Sequence, residues 1–93
     1  MYELKRHKDF IKDLKKIKMT DEQFKKFIKY VSFLIEGKKL PKDSLDHSLK
    51  GELKSYREFH LGGDLIVLYK KDEENKEIVL IAIGSHSQIF KKM

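Results

Sequence analysis

Two apolar runs late in the chain constrain its fold more than any other feature. Leu65-Ile66-Val67-Leu68-Tyr69 and Ile78-Val79-Leu80-Ile81-Ala82-Ile83 place hydrophobic side chains on both faces of an extended strand. Such strands must be covered on both sides or lie inside a sheet. Gly62-Gly63 ahead of the first run, and the polar stretch 71–76 between the two, supply hairpin connections. Residues 53–60 alternate imperfectly and offer a third strand. Strands at 53–60, 64–70 and 77–83 therefore read as an antiparallel meander.

The first half of the chain has a different period. Phe10, Leu14 and Ile17 recur at helical spacing with Ile11 beside them, which predicts a helix over 5–17 behind a short strand at 2–4. Thr20 followed three residues later by Gln23 has the form of a capping box. Phe24, Phe27, Ile28, Val31 and Ile35 then mark the apolar face of a second helix, with Leu34 beside it and Gly37 as its stop. So short a connection makes the pair an antiparallel hairpin. Residues 38–50 read as a polar, turn-rich loop. The expected architecture is α+β, a single domain over 1–93, with an N-terminal strand and helical hairpin packed on an antiparallel meander.

Composition narrows the function. The 93 residues include no cysteine, which excludes disulfides, thiolate zinc sites and a cysteine nucleophile. No run approaches the ~18 apolar residues of a spanning helix, and no basic-then-apolar leader opens the chain. A cytoplasmic protein without membrane contact is expected. The net charge is +6, and it is unevenly placed: residues 1–54 hold 15 Lys and Arg against 9 Asp and Glu, whereas residues 55–93 hold 6 of each. An excess of this kind suits a polyanion, most often nucleic acid. Lys8, Lys12 and Lys15 form one basic stripe, either a solvated helix face or a phosphate-facing one.

Of four histidines, His7 falls among lysines and reads as a surface residue. His47, His60 and His86 each lie at a bend or strand end, where a meander can bring them together with Asp64. Histidine exchanges protons near neutral pH. RNA cleavage needs a base for the ribose 2′-OH, an acid for the departing 5′ oxygen and cations for the phosphorane. Two or three histidines with Lys50, Lys54 or Arg57 could supply these parts; separate surface or core histidines are the plainer reading. His47, His60, His86 and Asp64 are metal ligands by type, yet no local pair has ligand spacing, so no metal and no cofactor is expected. Phosphate-loop, dinucleotide and serine-hydrolase motifs are all missing.

Four blocks carry a resemblance: Asp46-His47-Ser48-Leu49-Lys50-Gly51, Tyr56-Arg57-Glu58-Phe59-His60, Asp64 through Tyr69, and Gly84-Ser85-His86 through Phe90. In this order and spacing they closely resemble the YafQ branch of the RelE/ParE toxin superfamily. The resemblance implies a RelE-like fold and the toxin of a type II toxin–antitoxin pair. Its implied activity is that of a ribosome-dependent mRNA endoribonuclease, an mRNA interferase that needs no metal. His47, His60, Asp64, His86 and Phe90 match active-site positions. His86 is implied as leaving-group acid and His47 or His60 as base, with Asp64 as an orienting group and Phe90 packed beside an RNA base. The role of Arg57, phosphate contact or brace, is open at this point. The family commonly has an arginine where this chain has Ala82, which implies weakened activity. Implied partners are a cognate antitoxin, mRNA in the ribosomal A site and rRNA, with no DNA contact by the toxin itself. The alternative is a non-catalytic or attenuated RelE/ParE-fold toxin that binds a protein target or RNA.

Overall fold

Both apolar runs lie at the centre of a five-stranded sheet. A computed structural model describes residues 1–92; Met93, the last residue of the expected domain, lies outside the described residues. The elements run β1 (Glu3–Arg6), α1 (Lys8–Lys16), α2 (Asp21–Ile35), a 3₁₀ turn (Lys42–Ser44), β2 (His47–Ser48), a second 3₁₀ turn (Gly51–Leu53), β3 (Arg57–Gly62), β4 (Leu65–Asp72), β5 (Glu77–Gly84) and α3 (His86–Lys92). The sheet order is β1-β5-β4-β3-β2. Strands β2 to β5 pair antiparallel with their neighbours, as a meander requires, and β1 joins the far edge parallel to β5. The sheet is therefore mixed and the class α+β.

Several boundaries differ from expectation. β1 extends to Arg6 and α1 starts only at Lys8, because main-chain bonds hold the segment to the sheet: Glu3 N–H donates to Lys76 O and His7 N–H to Leu80 O, each at 2.8 Å. His7 then caps α1, its Nδ1 accepting from the Asp9 N–H at 3.1 Å. The third strand begins at Arg57 rather than 53, since Gly51–Leu53 coils into a 3₁₀ turn. The polar loop contributes the two-residue edge strand β2, and a helix follows β5 where none was expected. The capping box at Thr20 and Gln23 forms as read, both reciprocal bonds being made.

The sheet separates two apolar layers. On one face, Phe10 of α1 and Tyr30, Val31 and Leu34 of α2 pack on Phe59, Leu61, Val67, Tyr69, Ile78, Leu80 and Ile83. Phe10 and Phe27 stack at 6.2 Å and join the two helices. On the other face, Ile66, Leu68 and Ala82 pack against Ile89 of α3, with Leu49, Tyr56, Ile81 and Phe90 around them. An irregularity in β5 sets this division: Leu68 pairs with Ala82 and Tyr69 with Leu80, leaving Ile81 as a bulge. The bulge shifts the alternation by one residue, so Ile83 joins the helix-side core while Ala82 turns to the α3 side.

Candidate active site

Strand β3 carries the centre of the site. Phe59 and Leu61 point into the helix-side core, so the pleat sends Glu58 and His60 to the opposite face. His47 of β2 pairs directly with Glu58 across the ladder, which puts the two side chains on the same face. Gly62 and Gly63, at φ of 106° and 61°, reverse the chain and deliver Asp64 to the same end of the sheet. The Gly62 carbonyl accepts from the Gln23 side chain at 3.0 Å, tying this hairpin to α2. Beyond β5, Ser85 and Gln88 form a second reciprocal cap: Gln88 N–H donates to Ser85 Oγ at 3.1 Å and Ser85 N–H to Gln88 Oε1 at 2.9 Å. That cap starts α3 at His86, and Phe90 follows one turn later on the same side.

These elements converge on Glu58, a residue the sequence reading did not single out. Its side chain is 3% exposed, and Oε2 lies 2.8 Å from His86 Nε2 and 3.0 Å from His60 Nε2. Oε1 lies 3.9 Å from His47 Nε2. Asp64 Oδ1 stands 3.3 Å from the other nitrogen of His86. The aromatic rings form a continuous row, with His47 and His60 centred 6.2 Å apart, His60 and His86 5.5 Å apart, and His86 and Phe90 stacked at 5.9 Å. The structure thus brings together His47, His60, Asp64, His86 and Phe90. The signal for Glu58 was present: a charged residue in mid-strand, two positions before His60, must share its face.

The geometry holds the two outer histidines differently. Both ring nitrogens of His86 face carboxylate oxygens, and only N–H groups can bond to these, so the imidazolium form is favoured. The bond to Glu58 raises the His86 pKa most; partial burial opposes it and Asp64 adds to it, leaving the group above its ordinary value. His47 is held differently. Its Nδ1 lies 2.7 Å from the Leu45 carbonyl, so Nδ1 carries the proton, and in the neutral ring Nε2 is left with a free lone pair. One face of the sheet therefore holds His86 between two carboxylates and His47 against a main-chain carbonyl, on either side of buried Glu58. His47, Glu58 and His60 also present donor atoms within 4.8 Å of one another, a set able to hold a transition-metal ion although no local sequence pair foretells it.

Not every expected residue enters the cluster. Lys50 and Lys54 flank the Gly51–Leu53 turn and are exposed; among the described residues no hydrogen bond or ion pair ties them to the histidines. Arg57 alternates to the helix side of the sheet and is bound to Asp46 and Tyr69, so its position is that of a brace. Ala82 is a buried member of the apolar set with Ile66, Leu68 and Ile89. A lost buried arginine leaves its partners orphaned, yet among the described residues no buried side-chain polar atom lacks a hydrogen-bond partner. The expected weakening through Ala82 gains no support from this environment.

Comparison with known proteins follows the same lines. Residues 2–91 match the family described as the bacterial toxin of a type II toxin–antitoxin system, YafQ. A Haemophilus influenzae protein that carries the name of toxin YafQ is 31% identical over 86 residues, covering 87% of this chain and 84% of that protein. A metal-bound toxin from Helicobacter pylori superposes with a TM-score of 0.84 at 35% identity, covering 97% of this chain and 100% of the other. YafQ in the Escherichia coli DinJ–YafQ complex gives 0.81 at 26% identity, covering 97% and 99%.

Proposed function

The chain belongs to the YafQ family of bacterial type II toxins, and from that premise we propose that it is an endoribonuclease that cuts mRNA in the ribosomal A site. The observation that carries this reading is His86, whose two nitrogens meet Glu58 and Asp64 at one end of a row that His60 and His47 continue. In the proposed reaction His47 Nε2 takes the proton of a ribose 2′-OH, and the 2′ oxygen attacks the adjacent phosphorus. The P–O5′ bond breaks as His86 gives its proton to the departing oxygen, leaving a 2′,3′-cyclic phosphate and a 5′-hydroxyl. Glu58 holds the imidazolium in place, His60 shares that carboxylate, and Phe90 supplies a ring face for a neighbouring base. No step calls for a metal. In this reading His47 is taken as the base, with Nδ1 turned to the Leu45 carbonyl and Nε2 turned toward the cluster.

A cognate antitoxin is the proposed protein partner, with the Escherichia coli DinJ–YafQ complex as precedent. Among the described residues no helix is long and apolar enough to cross a membrane, and ribosomal mRNA as substrate places the work in the cytoplasm. The test is His86→Gln in a translating extract, with mapping of fragment 5′ ends. Cleavage should fall by about 10²- to 10⁴-fold, the usual worth of a general acid, with thermal unfolding little changed. Cleavage at the parent rate would remove His86 from the chemistry, and cleavage of no message by the parent would remove the nuclease reading itself.

A further inference from the structure

Three residues of the sequence blocks take no part in the histidine row: Asp46, Arg57 and Tyr69. They meet on the helix side of the sheet. Arg57 and Tyr69 are direct cross-strand partners. Arg57 Nε donates to Asp46 Oδ1 and to the Tyr69 hydroxyl, each at 3.3 Å, and a guanidinium NH₂ donates to Asp46 Oδ2 at 3.2 Å. The Tyr69 hydroxyl donates to Asp46 Oδ1 at 2.5 Å. Tyr69 is 1% exposed, and burial first, then the Asp46 carboxylate, pushes its pKa far up, so it stays a donor. Burial works against the Arg57 charge, but its bonds to Asp46 and Tyr69 outweigh that and raise its pKa.

Asp46 stands in the chain between Leu45, whose carbonyl meets His47 Nδ1, and His47 itself. Leu45 adopts a left-handed conformation at φ 52° and ψ 33°, unusual for a branched side chain without a glycine's freedom. Its side chain is not what holds it there, because Leu45 is 60% exposed. Backbone bonds contribute: Leu45 N–H donates to Lys42 O at 3.0 Å and Asp46 N–H to the buried Ser44 hydroxyl at 3.3 Å. In this conformation the Leu45 carbonyl meets His47 Nδ1. The His47 side chain is itself 53% exposed, so packing alone does not fix its ring. The held Asp46 side chain ties this turn to the centre of the sheet, in addition to the main-chain pairing of β2 with β3.

We propose that Asp46, Arg57 and Tyr69 are positioning residues that clamp the Leu45–Asp46 turn and so keep His47 as the Nδ1-protonated tautomer with Nε2 free. The proposal deepens the nuclease reading for its effect on rate, but its effect on the His47 tautomer stands apart from that reading. Two near-isosteric variants test it, Asp46→Asn and Tyr69→Phe, the second keeping the buried ring. The readouts are the ¹⁵N shifts of the histidine ring nitrogens and single-turnover cleavage of ribosome-bound mRNA. In the parent, His47 should show one protonated Nδ1. In each variant it should become a mixture of tautomers, while the His86 shifts and midpoint stay in place. The cleavage rate should fall about 10- to 100-fold, the scale of a misplaced catalytic group, with KM within about twofold. His47 remaining a single Nδ1-protonated tautomer in both folded variants would overturn the proposal, whatever the rate does. A parent that cleaves nothing would end the nuclease reading, and the ring-nitrogen shifts would still decide for or against the clamp.

Discussion

A carboxylate with 3% of its side chain exposed needs partners that hold its charge, and Glu58 has the imidazoles of His86 and His60 within hydrogen-bond reach for that purpose. The consequence is a pH dependence with a definite sign. His86 is raised above 6.5 in the folded chain. Its ion pair with Glu58 therefore contributes fully below the unfolded pKa near 6.5 and is lost as pH rises through the higher folded value. An NMR titration should place the His86 midpoint above 6.5, and Glu58→Gln, which removes the largest cause, should bring it down. An unchanged midpoint in that variant would show that Glu58 does not govern His86. In the proposed reaction metal should inhibit rather than assist. His47, Glu58 and His60 can close on one ion, and an ion there occupies the Nε2 lone pair the reaction uses. A chelator should leave cleavage intact, whereas added zinc should inhibit it until the chelator is supplied; loss of activity on chelation would contradict the proposed chemistry. At this scale His47, His60, Asp64 and His86 were legible because histidine chemistry at chain reversals is conspicuous. Glu58 was not, because in a chain with 39% charged residues one more glutamate looks like solvated surface until the pleat is followed residue by residue.

The elements were legible in proportion to how local their causes are. The Thr20 and Gln23 cap, the two helical apolar faces and the central strands each declare themselves within a few residues. The strand at the N-terminus was expected at 2–4, but the extent of β1 to Arg6 was not legible, because it depends on pairing with β5, seventy-odd positions away in sequence. α3 could have been read: Ser85-His86-Ser87-Gln88 repeats the spacing of Thr20-Asp21-Glu22-Gln23, and both boxes form. The apolar run just before it drew the eye to the strand. This cap holds the helix that carries His86 and Phe90, so it couples stability to the site. Ser85→Ala should cost about 1 kcal/mol, a fall in Tm of roughly 4–8 °C for a chain this short. It should also loosen His86 from Glu58 and move the His86 midpoint toward 6.5. A lower Tm with the midpoint unmoved would separate the cap from the chemistry.

For the whole molecule, the sheet separates the proposed reacting groups from much of the basic excess. Glu58 and the histidines lie on the α3 face, while α1 and α2, which hold much of the basic excess, cover the other. Lys8, Lys12 and Lys15 are exposed along α1, and none of them has a hydrogen bond or ion pair to the histidine cluster among the described residues. A docking role for that stripe should therefore change affinity without changing the rate of the bound complex. Each phosphate contact contributes a slope of about 0.7 to 0.9 to the fall of log K with log salt. The double substitution Lys12→Glu and Lys15→Glu should then lower the slope for ribosome binding by about 1.4 to 1.8. At saturating ribosomes its single-turnover cleavage should stay within about twofold of the parent, since neither lysine is bonded to the cluster among the described residues. Parent-like salt dependence would move the rRNA contact off α1. A collapse of the saturated rate would show instead that the two faces of the sheet do not act independently.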